Sequence, residues 1–112
     1  MSIGTDILYI PRLNKIIKNN KSFIKKVYTN KELEIANTLP NPLYFYATRF
    51  AAKEAIIKAT NGLYDLKEIE ILKEKSGKPF AHIINNENII IDLSLSFDNE
   101  YAIAFCIVTT KK

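Results

Sequence analysis

The chain has 112 residues, 47% of them hydrophobic and 25% charged, with a net charge of +4. That is the length of one domain, expected over residues 1–112, and the composition of a globular protein, which excludes an intrinsically disordered chain. No stretch reaches the roughly 18 apolar residues of a membrane span, and the N-terminus has no basic head before an apolar run, so a cytoplasmic protein with no membrane partner is expected. The lone cysteine, Cys106, lies in the apolar stretch Tyr101–Val108. It can form no internal disulfide and reads as a buried thiol in a reducing compartment. Because so short a chain has a high surface fraction, association with copies of itself would help to bury apolar side chains.

In chain order, Ser2–Tyr9 reads as a strand, apolar at Ile3, Ile7 and Leu8 and interrupted by Asp6. Pro11 suits the first turn of a helix whose stripe, Leu13, Ile16 and Ile17, runs to about Asn20. Thr29 and Glu32 form a capping box, which starts a short helix running towards Leu39. A long helix follows, with Asn41 as cap, Pro42 at its first position and Gly62 as its stop. The second half changes period. Ile69 and Ile71 alternate with Glu68 and Glu70, and Ile89, Ile91, Leu93 and Leu95 continue the alternation of a sheet. Ser76-Gly77-Lys78 reads as a hairpin turn before a strand starting near Phe80, and Asp98-Asn99 turns the chain between the last two strands. One strand, three helices and about four strands predict an α+β fold with a mainly antiparallel sheet.

The charge is unevenly placed. Arg12, Lys15, Lys18, Lys21, Lys25, Lys26 and Lys31 fall in one span with no acidic residue. Such a patch suits an anionic partner, with nucleic acid, an acidic protein and a phosphorylated ligand all open, or simply a solvated helix face.

Two carboxylates stand out. Placed at about 100° per residue around the long helix, Glu54 and Lys58 fall inside an arc flanked by Phe50 and Ile57 on one side and Ala51 and Ala55 on the other. Charges in the middle of a core-facing arc require pairing or an ion. The plain alternative is an i,i+4 surface salt bridge. Asp6 is equally unusual inside a short apolar strand. Together Asp6 and Glu54 offer the hard oxygens that magnesium commonly takes from a protein when phosphates and water complete its octahedron, and Lys58 could then meet a phosphate.

The sequence around these residues resembles the holo-acyl carrier protein synthase family of small 4′-phosphopantetheinyl transferases. The matching segments are Ile3-Gly4-Thr5-Asp6-Ile7 with Arg12, Arg49-Phe50-Ala51-Ala52-Lys53-Glu54-Ala55 with Lys58-Ala59, Glu68-Ile69-Glu70-Ile71 leading to Gly77-Lys78-Pro79, and Leu93-Ser94-Leu95-Ser96 followed by Tyr101-Ala102. The resemblance implies transfer of 4′-phosphopantetheine from coenzyme A to a serine of an acyl carrier protein. It implies Asp6 and Glu54 as ligands of Mg2+, with Mn2+ as an alternative ion, Glu54 or a water it orients as the base, and Lys58 as the group that neutralises the leaving 3′,5′-ADP. Arg49, Lys58, Gly77, Lys78, Pro79 and Ser96 carry over to coenzyme A, with Arg49 at its 3′-phosphate, and Arg12, Lys15, Lys25 and Lys26 to the acidic carrier. Lysines stand where the family has several arginines, which keeps charge and loses bidentate geometry.

The resemblance further implies a homotrimer with each active site between two subunits. Arg49 and Lys53, on another sector of the helix from Glu54, are expected to reach a different part of the ligand or a neighbouring subunit. The chain departs from the family at Ser94-Leu95-Ser96-Phe97-Asp98, where phenylalanine replaces a histidine associated with coenzyme A. Two other readings are an inactive relative, which Phe97 favours, and a nucleic-acid-binding basic module, which has no need of Asp6 and Glu54 among apolar neighbours. His82, the only histidine, reads as a satisfied half-buried residue and cannot by itself make a zinc site.

Overall fold

Period-two alternation in the second half of the chain generates a sheet, and the alanine-rich helix lies across it. A computed structural model describes residues 1–111. The elements are β1 (Ser2–Tyr9), α1 (Ile10–Asn19), α2 (Phe23–Val27), α3 (Asn30–Ala36) and α4 (Leu43–Ala59), then a 3-10 turn at Leu66–Glu68, β2 (Ile69–Lys73), β3 (Pro79–Ile83), β4 (Asn86–Asp98) and β5 (Tyr101–Thr110). The strands form one sheet in the order β1-β5-β4-β3-β2, and every neighbouring pair is antiparallel. This is the expected α+β class, with the first strand on one edge beside the last.

Strand alternation gives the sheet two distinct faces. Gly4 and Leu8 of β1, Ile91 and Leu93 of β4, and Ala102, Ala104, Cys106 and Val108 of β5 are buried towards α4. Cys106 is a free buried thiol, and burial pushes its pKa up. On the opposite face, Ile3 and Ile7 of β1 pair in register with Ile107 and Ile103 of β5, and Ile3, Ile7, Tyr101, Ile103 and Phe105 are all exposed. That apolar band is the part of the fold that burial within one chain leaves unfinished.

Several helix limits differ from the expectation. A short α2 interrupts the basic segment and buries Val27 while exposing Lys25 and Lys26. The capping box is formed, with the Glu32 amide donating to Thr29 Oγ1 and the Thr29 amide to Glu32 Oε1. The helix it opens nevertheless stops at Ala36 instead of reaching Leu39, because Pro40 disfavours helical backbone in the residue before it. α4 begins at Leu43, so Pro42 takes the cap position expected for Asn41, whose Oδ1 accepts only a long 3.4 Å bond from the Leu43 amide. Its end falls short of the expected Asn61: α4 stops at Ala59, Asn61 is left-handed at φ +54° directly after the Thr60 cap, and the amide of Gly62, at φ +74°, donates to the Ile57 carbonyl.

The buried arc of α4 also differs from the expected one. Ala51, Ala52, Ala55 and Ile56 are fully buried, whereas Glu54 and Ile57 are half-buried and Lys58 is exposed. The expected arc ran from Phe50 and Ile57 to Ala51 and Ala55 with Glu54 and Lys58 in its middle; the helix instead presses its alanines to the sheet, where small side chains allow close approach. Glu54 and Lys58 therefore stand at the rim of the core rather than in its centre.

Candidate active site

Glycine and alanine at the contact of β1 and α4 create the first part of the site. A Cβ on Gly4 would overlap the Ala55 carbonyl oxygen and lie 3.1 Å from Ala59 Cβ. This close approach brings the helix-facing Asp6 of β1 beside the open strip of α4. Lys58 Nζ donates to Asp6 Oδ1 at 3.2 Å and to the Thr5 carbonyl at 3.1 Å. The Asp6 side chain is 15% exposed and that of Lys58 58% exposed, so the cation can leave while the carboxylate stays in place. Glu54 completes the group. Burial, and then the Asp6 charge, raise its pKa against the opposing effect of Lys58.

Three distant positions are thus assembled: Asp6, Glu54 and Lys58. No cluster of three or more acidic, histidine or cysteine side chains suited to a metal occurs among the described residues. Two carboxylates within Coulomb range, both partly buried, nevertheless fit a divalent cation whose other ligands are phosphate and water. The electrostatic penalty that raises the Glu54 pKa is the one a bound cation would relieve.

The remaining sequence-derived residues divide among other places. Arg49, Pro79 and Ser96 line one cleft of about 380 Å³ together with Tyr44, Lys73 and Phe97. Arg49 is buried, and its guanidinium lies 4.4 Å from the centre of the Phe45 ring. Its Nη1 donates to Thr48 Oγ1 at 3.0 Å, while Nε is buried without a partner among the described residues. Burial lowers the Arg49 pKa, and the nearby Glu32 charge opposes that effect. An unpaired buried donor in a cleft is what an incoming anion can satisfy.

Lys78 lines a separate, smaller groove with Asp92, Ser94 and Phe105, and Gly77 forms the β2–β3 turn at φ +91°. Arg12 and Lys15 border a shallow groove on α1, Lys25 and Lys26 project from α2, and all four are exposed. His82 is partly exposed, with Nε2 2.8 Å from Glu70 Oε1.

Lys53 does not reach a ligand or a neighbouring subunit. It is fully buried: its Nζ lies 2.7 Å from Glu32 Oε1 and donates to the carbonyls of Val27 at 2.8 Å and Leu66 at 3.0 Å. Burial lowers its pKa, and Glu32 opposes the change. Glu32 Oε2 also accepts the Ile71 amide at 2.7 Å. The ion pair fastens α4 to α3 and, through Glu32, to β2, while the Val27 bond ties it to the end of α2, and together they fix the rotation of the residue that follows, Glu54. The sequence reading found the cap at Glu32 and missed its second role.

Comparison with known proteins agrees with this architecture. Residues 2–106 match the profile of the 4′-phosphopantetheinyl transferase superfamily. A holo-[acyl-carrier-protein] synthase of Wolbachia pipientis wMel is 41% identical over 96% of this chain and 92% of its own. The crystal structure of a holo-(acyl-carrier-protein) synthase from Bacillus anthracis str. Ames in complex with CoA (3′,5′-ADP) matches with a TM-score of 0.85 at 31% identity, covering 99% of this chain and 96% of its own. The holo-[acyl-carrier-protein] synthase of Neisseria meningitidis matches with a TM-score of 0.88 at 28% identity, covering 97% and 98%. The chain belongs to the holo-acyl carrier protein synthase family of that superfamily.

Proposed function

We propose that this chain transfers 4′-phosphopantetheine from coenzyme A to a serine of apo-acyl carrier protein, giving the holo-carrier and 3′,5′-ADP. The observation that carries this reading is the juxtaposition of Asp6, Glu54 and Lys58, contributed by β1 and α4 from far apart in sequence. The names of the relatives and the nucleotide bound in the Bacillus anthracis structure supply the substrate class. Asp6 and Glu54 would hold Mg2+, or Mn2+ in its place, which when bound polarises the pyrophosphate and offsets its charge.

Glu54 accepts the proton of the carrier serine, directly or through a water it orients. The serine oxygen attacks the β-phosphorus of coenzyme A, the bond from that phosphorus to the oxygen bridging to 3′,5′-ADP breaks, and a phosphodiester remains on serine. Lys58, released from Asp6, stabilises the charge of the departing nucleotide. Arg49, Pro79 and Ser96 hold the nucleotide in their cleft, while Gly77 and Lys78 of the β2–β3 turn, the latter on a separate groove, are carried to coenzyme A by the family resemblance alone.

Arg12, Lys15, Lys25 and Lys26 are the docking surface for the acidic carrier, a use of surface charge that favours encounter and orientation. The exposed band of Ile3, Ile7, Ile103 and Phe105 supports a homo-oligomer, which we take to be a trimer. No helix among the described residues is long and apolar enough to cross a membrane. On this reading the protein acts in fatty acid biosynthesis, in the cytoplasm.

The test is to incubate the protein with coenzyme A, Mg2+ and its cognate apo-carrier and to weigh the carrier. A gain of one phosphopantetheine group, abolished by a chelator, is the expected result. A carrier of unchanged mass overturns the reading.

A further inference from the structure

The coenzyme A cleft has a feature that no part of the chemistry above uses. Two cationic residues line it, Arg49, whose Nε has no partner among the described residues, and Lys73. Tyr44 and Phe97 also line it, with ring centroids 5.0 Å apart and planes inclined at 45°. Phe97 is 56% exposed and Tyr44 is 39% exposed. Tyr44 is held in place, since its hydroxyl donates to the Asn99 carbonyl in the β4–β5 turn at 3.1 Å. The aromatic surface is therefore braced from both sides, by the first turn of α4 and by the end of β4.

An open aromatic surface beside buried positive charge matches a nucleotide, whose planar base stacks while its phosphate finds the cations. On the reading that coenzyme A is the substrate, we propose that Phe97, supported by Tyr44, is a specificity-determining residue that stacks the adenine of coenzyme A. Arg49 and Lys73 hold the adjoining phosphate. Stacking on a phenyl ring reads the face of the base rather than its edge, so a purine with altered exocyclic groups will be retained.

The probe is coenzyme A carrying 1,N6-ethenoadenine, whose fluorescence falls when the ring stacks on an aromatic side chain, with calorimetric titration of coenzyme A and 3′,5′-ADP in parallel. Wild-type protein is expected to bind all three and to quench the etheno probe. Phe97→Ala is expected to abolish the quench, to weaken binding of coenzyme A and 3′,5′-ADP about tenfold, and to raise KM for coenzyme A more than it lowers kcat. Phe97→Trp restores the quench and the affinity. Because Phe97 is a surface residue, Phe97→Ala should keep the wild-type circular dichroism spectrum; loss of that spectrum moves the decision to the Trp variant, where an absent quench overturns the proposal. Binding of coenzyme A by Phe97→Ala within twofold of wild type overturns the stacking role alone. Wild-type protein that binds neither coenzyme A nor 3′,5′-ADP overturns the transferase reading and the stacking role with it.

Discussion

Gly4 and the Ala55 carbonyl meet so closely that no side chain fits between β1 and α4. The contact sets the distance between the strand that carries Asp6 and the helix that carries Glu54 and Lys58. Gly4→Ala must push the two elements apart, a change of the overpacking kind that costs about 1–3 kcal/mol. A fall in melting temperature of several degrees is expected, together with a loss of transferase activity larger than the fraction unfolded explains. Thermal unfolding and a carrier assay at low temperature check both.

The buried pair of Lys53 and Glu32 leads to a second expectation. Lys53→Met leaves the Glu32 carboxylate buried without its cation, which costs about 3–5 kcal/mol. Lys53→Met combined with Glu32→Gln removes the stranded charge and should recover part of that loss. Urea unfolding of both variants measures the difference.

Glu70 gives a pH dependence with a defined sign. Burial alone would raise its pKa, but hydrogen bonds from Thr29 Oγ1 at 2.6 Å and from His82 outweigh that effect and hold it below the ordinary carboxylate value. A depressed folded-state pKa means that the unfolded chain takes up the proton first. The stabilisation is present above the unfolded value, about 4.3, and disappears as pH falls through the lower folded value. Glu70→Gln should therefore lower the melting temperature at neutral pH and flatten its decline on acidification, as a series of melts from neutral to acid pH would record.

Carrier docking through Arg12, Lys15, Lys25 and Lys26 depends on exposed charge, which salt screens beyond about 8–10 Å at physiological ionic strength. Turnover at subsaturating carrier should fall several-fold as salt is raised, while kcat changes little. Lys25→Glu with Lys26→Glu should raise the carrier KM and reduce this salt dependence. Salt-independent turnover of the wild type would argue against that docking surface.

Much of this was legible in the sequence, for identifiable reasons. Strand alternation, the Thr29–Glu32 capping box and the Gly62 stop are local signals, and each appears in the fold. Asp6 and Glu54 stood out because a charge among apolar neighbours contradicts local preference. The helix rotation did not follow, because the buried face of α4 is made of alanines, whose small size matters only against a partner as close as Gly4. The spacing Ala51, Ala55, Ala59 was the available signal for that approach. Lys53 and Glu32 were beyond a local reading, since their meeting depends on tertiary packing between α3 and α4. Of the six residues the family resemblance grouped at coenzyme A, the cleft draws together Arg49, Pro79 and Ser96, whereas Lys58 pairs with Asp6 and Lys78 lines a separate groove; Tyr44 and Lys73 could be found only once β2, β4 and α4 were in place.

The most direct test of the paired-carboxylate site is manganese binding, followed by the electron paramagnetic resonance signal of free Mn2+ in the presence of coenzyme A. Wild-type protein is expected to bind one ion per chain, and Asp6→Asn and Glu54→Gln each to weaken that binding by at least about tenfold while retaining the wild-type fold. Unchanged manganese affinity in both folded variants would contradict a metal site formed by Asp6 and Glu54.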